Sequence, residues 1–331
     1  MPQRFPHRPD PRTVAAAVLT YRRPGDIAAA LPELAVQARS VDPGRWRSRI
    51  IVVDNDPDAG ARELVVRFAR SRDARGTDVT YVHEPTPGIS AGRNRALQEA
   101  SSDDVLVFID DDERPSERWL VHLLTTFERC GSTAVVGPVI SEHEQEPSRW
   151  VAAGRFFERR RMPTGSRVTV AATNNLLLDV HAVRRLGVRF DPEFGISGGG
   201  DTLFTLQLMR EGGTMVWCDE AVVVDVVPAA RTTPRWVLRR AMRSGNHWAR
   251  TSLTVAENAP ERLQVRLRAL GGGLARAGGG GLRAGWGYLT GDLAHQARGV
   301  RTAARGGGML LAVVGHTQVE YRRGSGIQGG P

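Results

Sequence analysis

The sequence predicts an open α/β domain, a mostly parallel sheet flanked by helices, with a C-terminal helical extension. Short runs that are apolar at every position, such as Val105 to Ile109 in "VLVFIDDD", suit strands buried on both faces. These runs alternate with helical stretches, the order of a sheet whose parallel strands are joined by crossovers. Polar residues follow the first, second and fourth runs: Thr20 and Tyr21, Asp54 and Asn55, and Asp110 to Asp112. In such sheets ligands bind beyond the carboxyl ends of the strands.

Each element follows from local pattern. "MPQRFPHRPDPR" is rich in Pro and Arg and is expected to be a disordered tail over residues 1–12. "TVAAAVLTY" reads as the first strand and "RRPGDIAAALPELAVQA" as a turn and helix. "RIIVVDNDPD" is a second strand ending in acids, and "ARELVVRFARS" a second helix. "VTYVHEP" makes a third strand, "SAGRNRALQEAS" a helix opened by Ser90, and "DVLVFIDDD" the fourth strand. After "STAVVGPVI" and "RVTVAATNNLLLD", "FDPEFGISGGGDTLFTLQLMREGG" reads as a glycine-rich loop opening a helix near Asp201. "TMVWCDEAVVVDVVP" looks like a strand pair closing a domain that spans 13–228. Beyond it, residues 229–331 are Arg-rich amphipathic helix pieces broken by "GGGLARAGGGG" and "RGGG", read as linkers. No internal repeat of fixed period is found.

The formal charge is +9, and all 45 basic residues are Arg. An Arg surplus suits phosphate-bearing ligands or an anionic membrane face, and equally a solvated surface. No nucleic-acid partner is expected, because the acids gather at the ligand edge and would repel a phosphate backbone. Cys130 and Cys218 lie far apart in no metal-ligand spacing and read as free buried thiols of a reducing cytosol. The start has no signal-peptide core and "MLLAVVG" is too short to span a bilayer, so a cytoplasmic protein, peripheral at most, is expected.

The acids after the fourth strand carry the sharpest signal. Adjacent charges at about 4 Å repel by roughly 1 kcal/mol even in water, so Asp110, Asp111 and Asp112 need a positive neighbour. Helix-start preference accounts for one acid and not for three. A hard cation, Mg2+ or Mn2+, held by one or two carboxylates and by substrate phosphate oxygens, accounts for all. "TPGISAGRNRAL" sets Gly88 and Gly92 around a helix start that can face an anion, with Arg93 and Arg95 nearby; the same glycines also suit a turn. Asp54 can accept a base or ribose hydrogen bond, although turn chemistry explains its surroundings almost as well. In "SGGGDTLFTLQL", Gly199 and Gly200 permit close backbone approach and Asp201 stands at a helix mouth, as general base or as a simple cap. Asn174 and Asn175 sit at a strand end, as sugar or acceptor contacts or as a turn pair. No hydrolase triad, zinc or P-loop pattern competes.

The succession "VAAAVLTYRRP", "IIVVDNDPD", "PGISAGRNRAL", "VFIDDDERP", "ATNNLLL" and "GGGDTLFTLQL" resembles the family 2 glycosyltransferases of the GT-A fold, bacterial polysaccharide type, over about residues 13–228. The resemblance implies a nucleotide-diphosphate-sugar donor (UDP-, GDP- or dTDP-linked), a divalent metal, a hydroxyl acceptor such as a lipid-linked one, and inversion. It carries Thr20, Tyr21 and Arg23 to the donor, Asp54 to the base, Asp110 to the ribose and Asp112 to the metal, with Asp111 between them. Asp201 matches the catalytic base. The residue before it, usually Glu in that family, is Gly200, which leaves an inactive nucleotide-sugar binder as the alternative. The QxxRW motif of processive members is reduced to "TTPRW", so a single transfer is expected. Arg239, Arg240, Arg243 and His247 read as a solvated basic helix in preference to a clamp on the diphosphate. "LRAGWGYLTGDLAHQARGVRTAAR" reads as amphipathic helix that lies on an anionic membrane or packs against protein.

Overall fold

The computed structural model describes residues 10–316; most of the expected N-terminal tail lies outside them, and Arg12 is already in a strand. The elements are β1 (Arg12–Thr20), α1 (Pro24–Ser40), β2 (Trp46–Asp54), α2 (Arg62–Ala69), β3 (Asp78–His83), α3 (Ile89–Glu99), β4 (Val105–Asp110), β5 (Glu113–Pro115), α4 (Trp119–Cys130), β6 (Ala134–Val136) and β7 (Val139–His143). They continue with α5 (Arg149–Gly154), β8 (Asn175–Asp179), α6 (Val180–Leu186), α7 (Phe194–Ser197), α8 (Gly200–Arg210), β9 (Met215–Trp217), β10 (Val223–Val227), α9 (Pro234–Val255), α10 (Ala259–Thr290) and α11 (Leu293–Val313).

A seven-stranded sheet runs β3-β2-β1-β4-β8-β6-β9. Its first four strands are parallel, and β8 lies antiparallel between β4 and β6. The apolar runs are buried on both faces, as their pattern requires. Val14, Val18, Ile50, Val52 and Val107 pack with Leu31 and Leu34 of α1 and Leu123 of α4. Ala15, Ala17, Ile51, Val53 and Phe108 pack on the other side with Ala96 of α3 and Phe204 of α8. Register then sets the functional edge: Thr20 lies opposite Asp54 and Leu19 opposite Asp110. Because β8 runs the other way, its first residue, Asn175, pairs with Ile109 and arrives at the edge where β4 ends.

Several expectations are corrected. "TMVWCDEAVVVDVVP" is no strand pair. β9 joins β6 in the large sheet while β10 enters a small sheet, β5-β10-β7. Both pair parallel with β6 and β7 in turn, so the segment follows the bend between those strands and cannot fold back on itself. The α3 helix is opened by Gly88, at φ 119°, and not by Ser90. Cys218 is buried, whereas Cys130, at the end of α4, is exposed.

The larger correction concerns the glycine runs, which lie inside α10 and α11 and link nothing. Gly273, Gly280 and Gly287 recur every seven residues and are buried against α11, which answers with Gly299 and Gly306. A Cβ on Gly280 would stand 2.5 Å from Ala303 N and 2.7 Å from Gly299 O. Bare backbone at these positions lets two long helices approach closely, the logic of small residues at helix–helix seams. The amphipathic stretch is divided between two helices at Gly291, whose left-handed φ of 69° ends α10, and Asp292 caps α11 by accepting from His295 N at 2.9 Å.

Glycines on the two faces of α10 are therefore expected to respond oppositely. Gly280→Val forces α10 from α11 and lowers unfolding stability by about 1–3 kcal/mol. Gly278 has open space around it, so Gly278→Ala raises stability by roughly 0.5–1 kcal/mol through the unfolded chain and helix propensity. Denaturant midpoints of the two variants check the signs.

Candidate active site

The strand edge opens into a cleft of about 620 Å³ walled by Thr20, Tyr21, Arg23, Asn55 and Asp110 to Glu113. A second hollow of about 540 Å³ holds Asp201, Gly199, Gly200 and Arg93. Ile89, Asp110, Arg159 and Asn174 line both, so the two are one continuous groove.

The positive partner demanded by the three acids is present. The Arg23 guanidinium, from the turn between β1 and α1, donates to Asp112 Oδ2 at 2.8 Å and Asp111 Oδ1 at 3.3 Å. Arg231 approaches Asp112 Oδ2 at 4.0 Å. Compensation is incomplete. Burial, followed by the charges of Asp112, Asp201 and Asp111 against the opposing pull of Arg93, raises the Asp110 carboxyl to about 7. Burial raises Asp111 to about 6, with the Thr20 hydroxyl and Arg23 pulling it down. Glu113, buried beside Asp110, is also pushed well above the carboxylate range. Among the described residues no three His, Cys, Asp or Glu side chains form a ready cage for a metal. An oxygen donor set of one or two carboxylates at the rim of a cleft nevertheless fits a hard cation whose shell is completed by substrate phosphate. Carboxylates whose proton affinity is raised by burial and by acidic neighbours are groups that gain from such a charge.

Asp201 lies in the first turn of α8, after Gly199 in left-handed conformation at φ 89°. It is no cap. Its Oδ1 accepts from the Arg93 guanidinium and its Oδ2 from Thr173 N at 3.3 Å. Arg93, almost fully buried, is held over the Phe190 ring at 5.6 Å, and Phe190 stacks on Phe204 of α8. Where the family pattern has an acidic neighbour, this chain has Gly200 and an arginine partner. A Cβ on Gly199 would meet His247 Cβ at 3.3 Å, so the glycine loop packs directly on α9.

Some sequence-selected residues are absent from the groove wall: Gly92 packs on Leu19, Arg95 pairs with Glu99 at 2.7 Å, and Asp54 and Asn175 are used inside the fold. Asp54 is fully buried and its carboxylate is used internally, accepting from Asp56 N, Ala61 N and the Tyr81 hydroxyl at 2.9–3.0 Å. It organises the β2 turn, and its neighbour Asn55 takes the place on the wall. Asn175 accepts from Trp119 Nε1 at 2.8 Å and donates to the Pro138 and Ala221 carbonyls. It ties the two sheets together, and a Cβ at Gly137 would collide with it. Asn174 does face the groove, donating to Glu113. The basic residues of α9 are mostly the reverse case: Arg240 and Arg243 line both hollows and His247 the second, so these three are groove residues, while Arg239 is exposed outside both. Arg240 sits 5.5 Å over Trp236 and 5.8 Å over Phe157, two rings that stack on each other. Sequence reasoning missed Glu113 and the Arg159–Asp225 pair at 2.8 Å. The available signal for Glu113 was a fourth acid directly after the triplet.

The raised acids predict a pH dependence with a definite sign. A carboxyl raised from 3.8 to about 7 in the fold contributes stability below pH 4 that is lost as pH rises toward 7, because the unfolded chain releases its proton more readily. In chelator, Asp110→Asn is expected to raise the thermal midpoint at pH 8 and to change it little at pH 4. Melting curves across that range check it.

Comparison with known proteins gives concordant results. The family described as Glycosyl transferase family 2 matches residues 16–187. The chain is 40% identical over 228 residues to the succinoglycan biosynthesis protein ExoM of Rhizobium meliloti (strain 1021), covering 69% of this chain and 71% of that one. Among solved structures, the mannosyltransferase PcManGT from Pyrobaculum calidifontis, in complex with GDP-Man and Mn2+, superposes with a TM-score of 0.61 at 18% identity, covering 92% of this chain and 88% of that one. S. aureus TarS 1-349 with UDP gives 0.52 at 15% identity, covering 95% and 97%. At those identities the likeness concerns the fold alone. On the strength of the sequence match, the chain belongs to the family 2 glycosyltransferases and has their GT-A fold.

Proposed function

We propose that this glycosyltransferase takes a sugar from a nucleotide-diphosphate donor, UDP-, GDP- or dTDP-linked, and moves it once, with inversion, to an acceptor hydroxyl in cytoplasmic polysaccharide assembly. The observation that carries this reading is the single groove with the acid cluster of β4 in one hollow and Asp201 in the other, meeting at Asp110 and Asn174. Solved GT-A structures bound to UDP and to GDP-Man with Mn2+ support the donor class. The relative named for succinoglycan biosynthesis supports the pathway type. Residues 13–228 would carry the acids and the candidate base, with 229–331 as a helical extension that adds one wall of the groove.

The donor nucleotide would lie along Thr20, Tyr21 and Asn55, and Asp112 with Asp110 would hold Mg2+ or Mn2+. Such an ion, when bound, neutralises charge on the departing diphosphate. Arg23 already binds two acids at the rim and is placed to exchange them for phosphate oxygens, where a planar guanidinium binds well. Asp201 accepts the proton of the attacking hydroxyl. Arg93 and Thr173 N orient its two oxygens, the positioning that a missing acidic neighbour leaves to other groups.

Calorimetry with UDP, GDP and dTDP, in Mn2+ and then in EDTA, tests the donor site. One nucleotide is expected to bind with metal only, and Asp112→Ala to abolish that binding; no binding under either condition ends the reading. Asp201→Asn is expected to lower kcat by about 10²–10⁴-fold while nucleotide affinity stays unchanged, as loss of a general base requires. A variant that keeps full turnover removes Asp201 from that role.

A further inference from the structure

We propose that the outward face of α10 is a docking surface for an anionic lipid bilayer. Leu263, Leu267, Leu270 and Leu274 follow the i, i+4, i+7, i+11 spacing that lines one face of a helix, and they are 42% to 59% exposed. Tyr288 continues this face at 76% exposure, and Leu282, Trp286 and Leu289 add exposed apolar side chains on the adjoining one, at 79%, 61% and 80%. The glycines buried against α11 lie on a different face of the helix, so the described residues leave this surface uncovered. A long exposed apolar surface of this kind marks an interaction site.

Charge decides among the occupants. α10 carries Arg262, Arg266, Arg268, Arg276 and Arg283 against a single acid, Glu261, which is already paired with Arg210. The arginines of α11 turn elsewhere, Arg298 and Arg301 donating to the Ala153 and Arg155 carbonyls and Arg305 lining the hollow that holds Asp201, so the charge of this face is that of α10. Two copies docked through this face would set arginine against arginine with no carboxylate to answer. An anionic headgroup layer answers every one of them, while the leucines and Trp286 enter the boundary with the acyl chains. The long Arg stems can follow the apolar face and keep their charge among the headgroups. No helix among the described residues is long and apolar enough to cross a membrane, so α10 would lie on the surface.

The test is sedimentation of the full chain with vesicles of phosphatidylcholine alone and of phosphatidylcholine containing phosphatidylglycerol. Binding is expected to the anionic vesicles, not to the neutral ones, and to be released by salt. Leu267→Ser with Leu274→Ser, and separately Arg268→Glu with Arg283→Glu, are each expected to weaken it by about tenfold or more. Their thermal midpoints should stay near that of the parent chain, because these side chains are exposed. Failure of the parent chain to bind anionic vesicles overturns the proposal. So does equal binding by the leucine variant, or a vesicle-free dimer that this variant splits, which would assign the face to a second copy. None of these readouts involves nucleotide, so failure here leaves the donor site standing, and failure of nucleotide binding leaves this surface standing.

Discussion

Crowding of carboxylates at the end of β4 is the constraint around which the rest of the site is arranged. Asp110, Asp111, Asp112 and Glu113 follow one another where a fully buried strand emerges. Taking such charges out of water is expensive unless each finds a partner. Arg23 arrives from the β1 turn, Arg231 from beyond β10, and Asn174 from the segment before β8. Even so, Asp110 and Asp111 remain raised to about 7 and about 6. Carboxylates buried together in this way leave the fold less stable at neutral pH than one in which each acid had a full cationic partner.

The same economy explains why Asp201 and the acids share a groove without touching. Arg93 pairs with Asp201 and also pulls on Asp110 electrostatically, so one buried cation serves both hollows. Its place is set by aromatic packing through Phe190 and Phe204. The loop before Asp201 is in turn held by α9, against which Gly199 packs too closely for a side chain to be added freely. The C-terminal helices thus help to shape the groove, and they also present a surface of their own.

That surface is a consequence of the glycine spacing. Where glycines recur every seven residues on one face, α10 and α11 lie backbone to backbone, as Gly280 against Gly299 shows. The bulk of α10, its leucines and tryptophan, is thereby displaced to the other side. A hairpin so joined has a small-residue seam inside and an apolar, arginine-bordered face outside.

The strands, their order along the chain and the edge at which function gathers were legible in the sequence, because burial on both faces and alternation with helices leave a local imprint. So was the family, through motifs that sit contiguously at the ends of β1, β4 and the start of α8. The glycine runs misled because composition alone cannot distinguish a linker from a helix seam; the difference is the partner helix. Asp54 and Asn175 looked like ligand contacts because a polar residue at a strand end has the same local signature whether it turns outward or inward. Only packing showed that Asp54 braces its own turn and that Asn175 joins two sheets. Sequence by itself determined the α/β class, the acid cluster and the identity of Asp201 as a candidate base. Tertiary structure alone decided that Arg93 would partner that aspartate, that α9 would wall the groove and that β9 and β10 would part into separate sheets. Those outcomes depend on contacts between residues far apart in the chain, and no local periodicity encodes them.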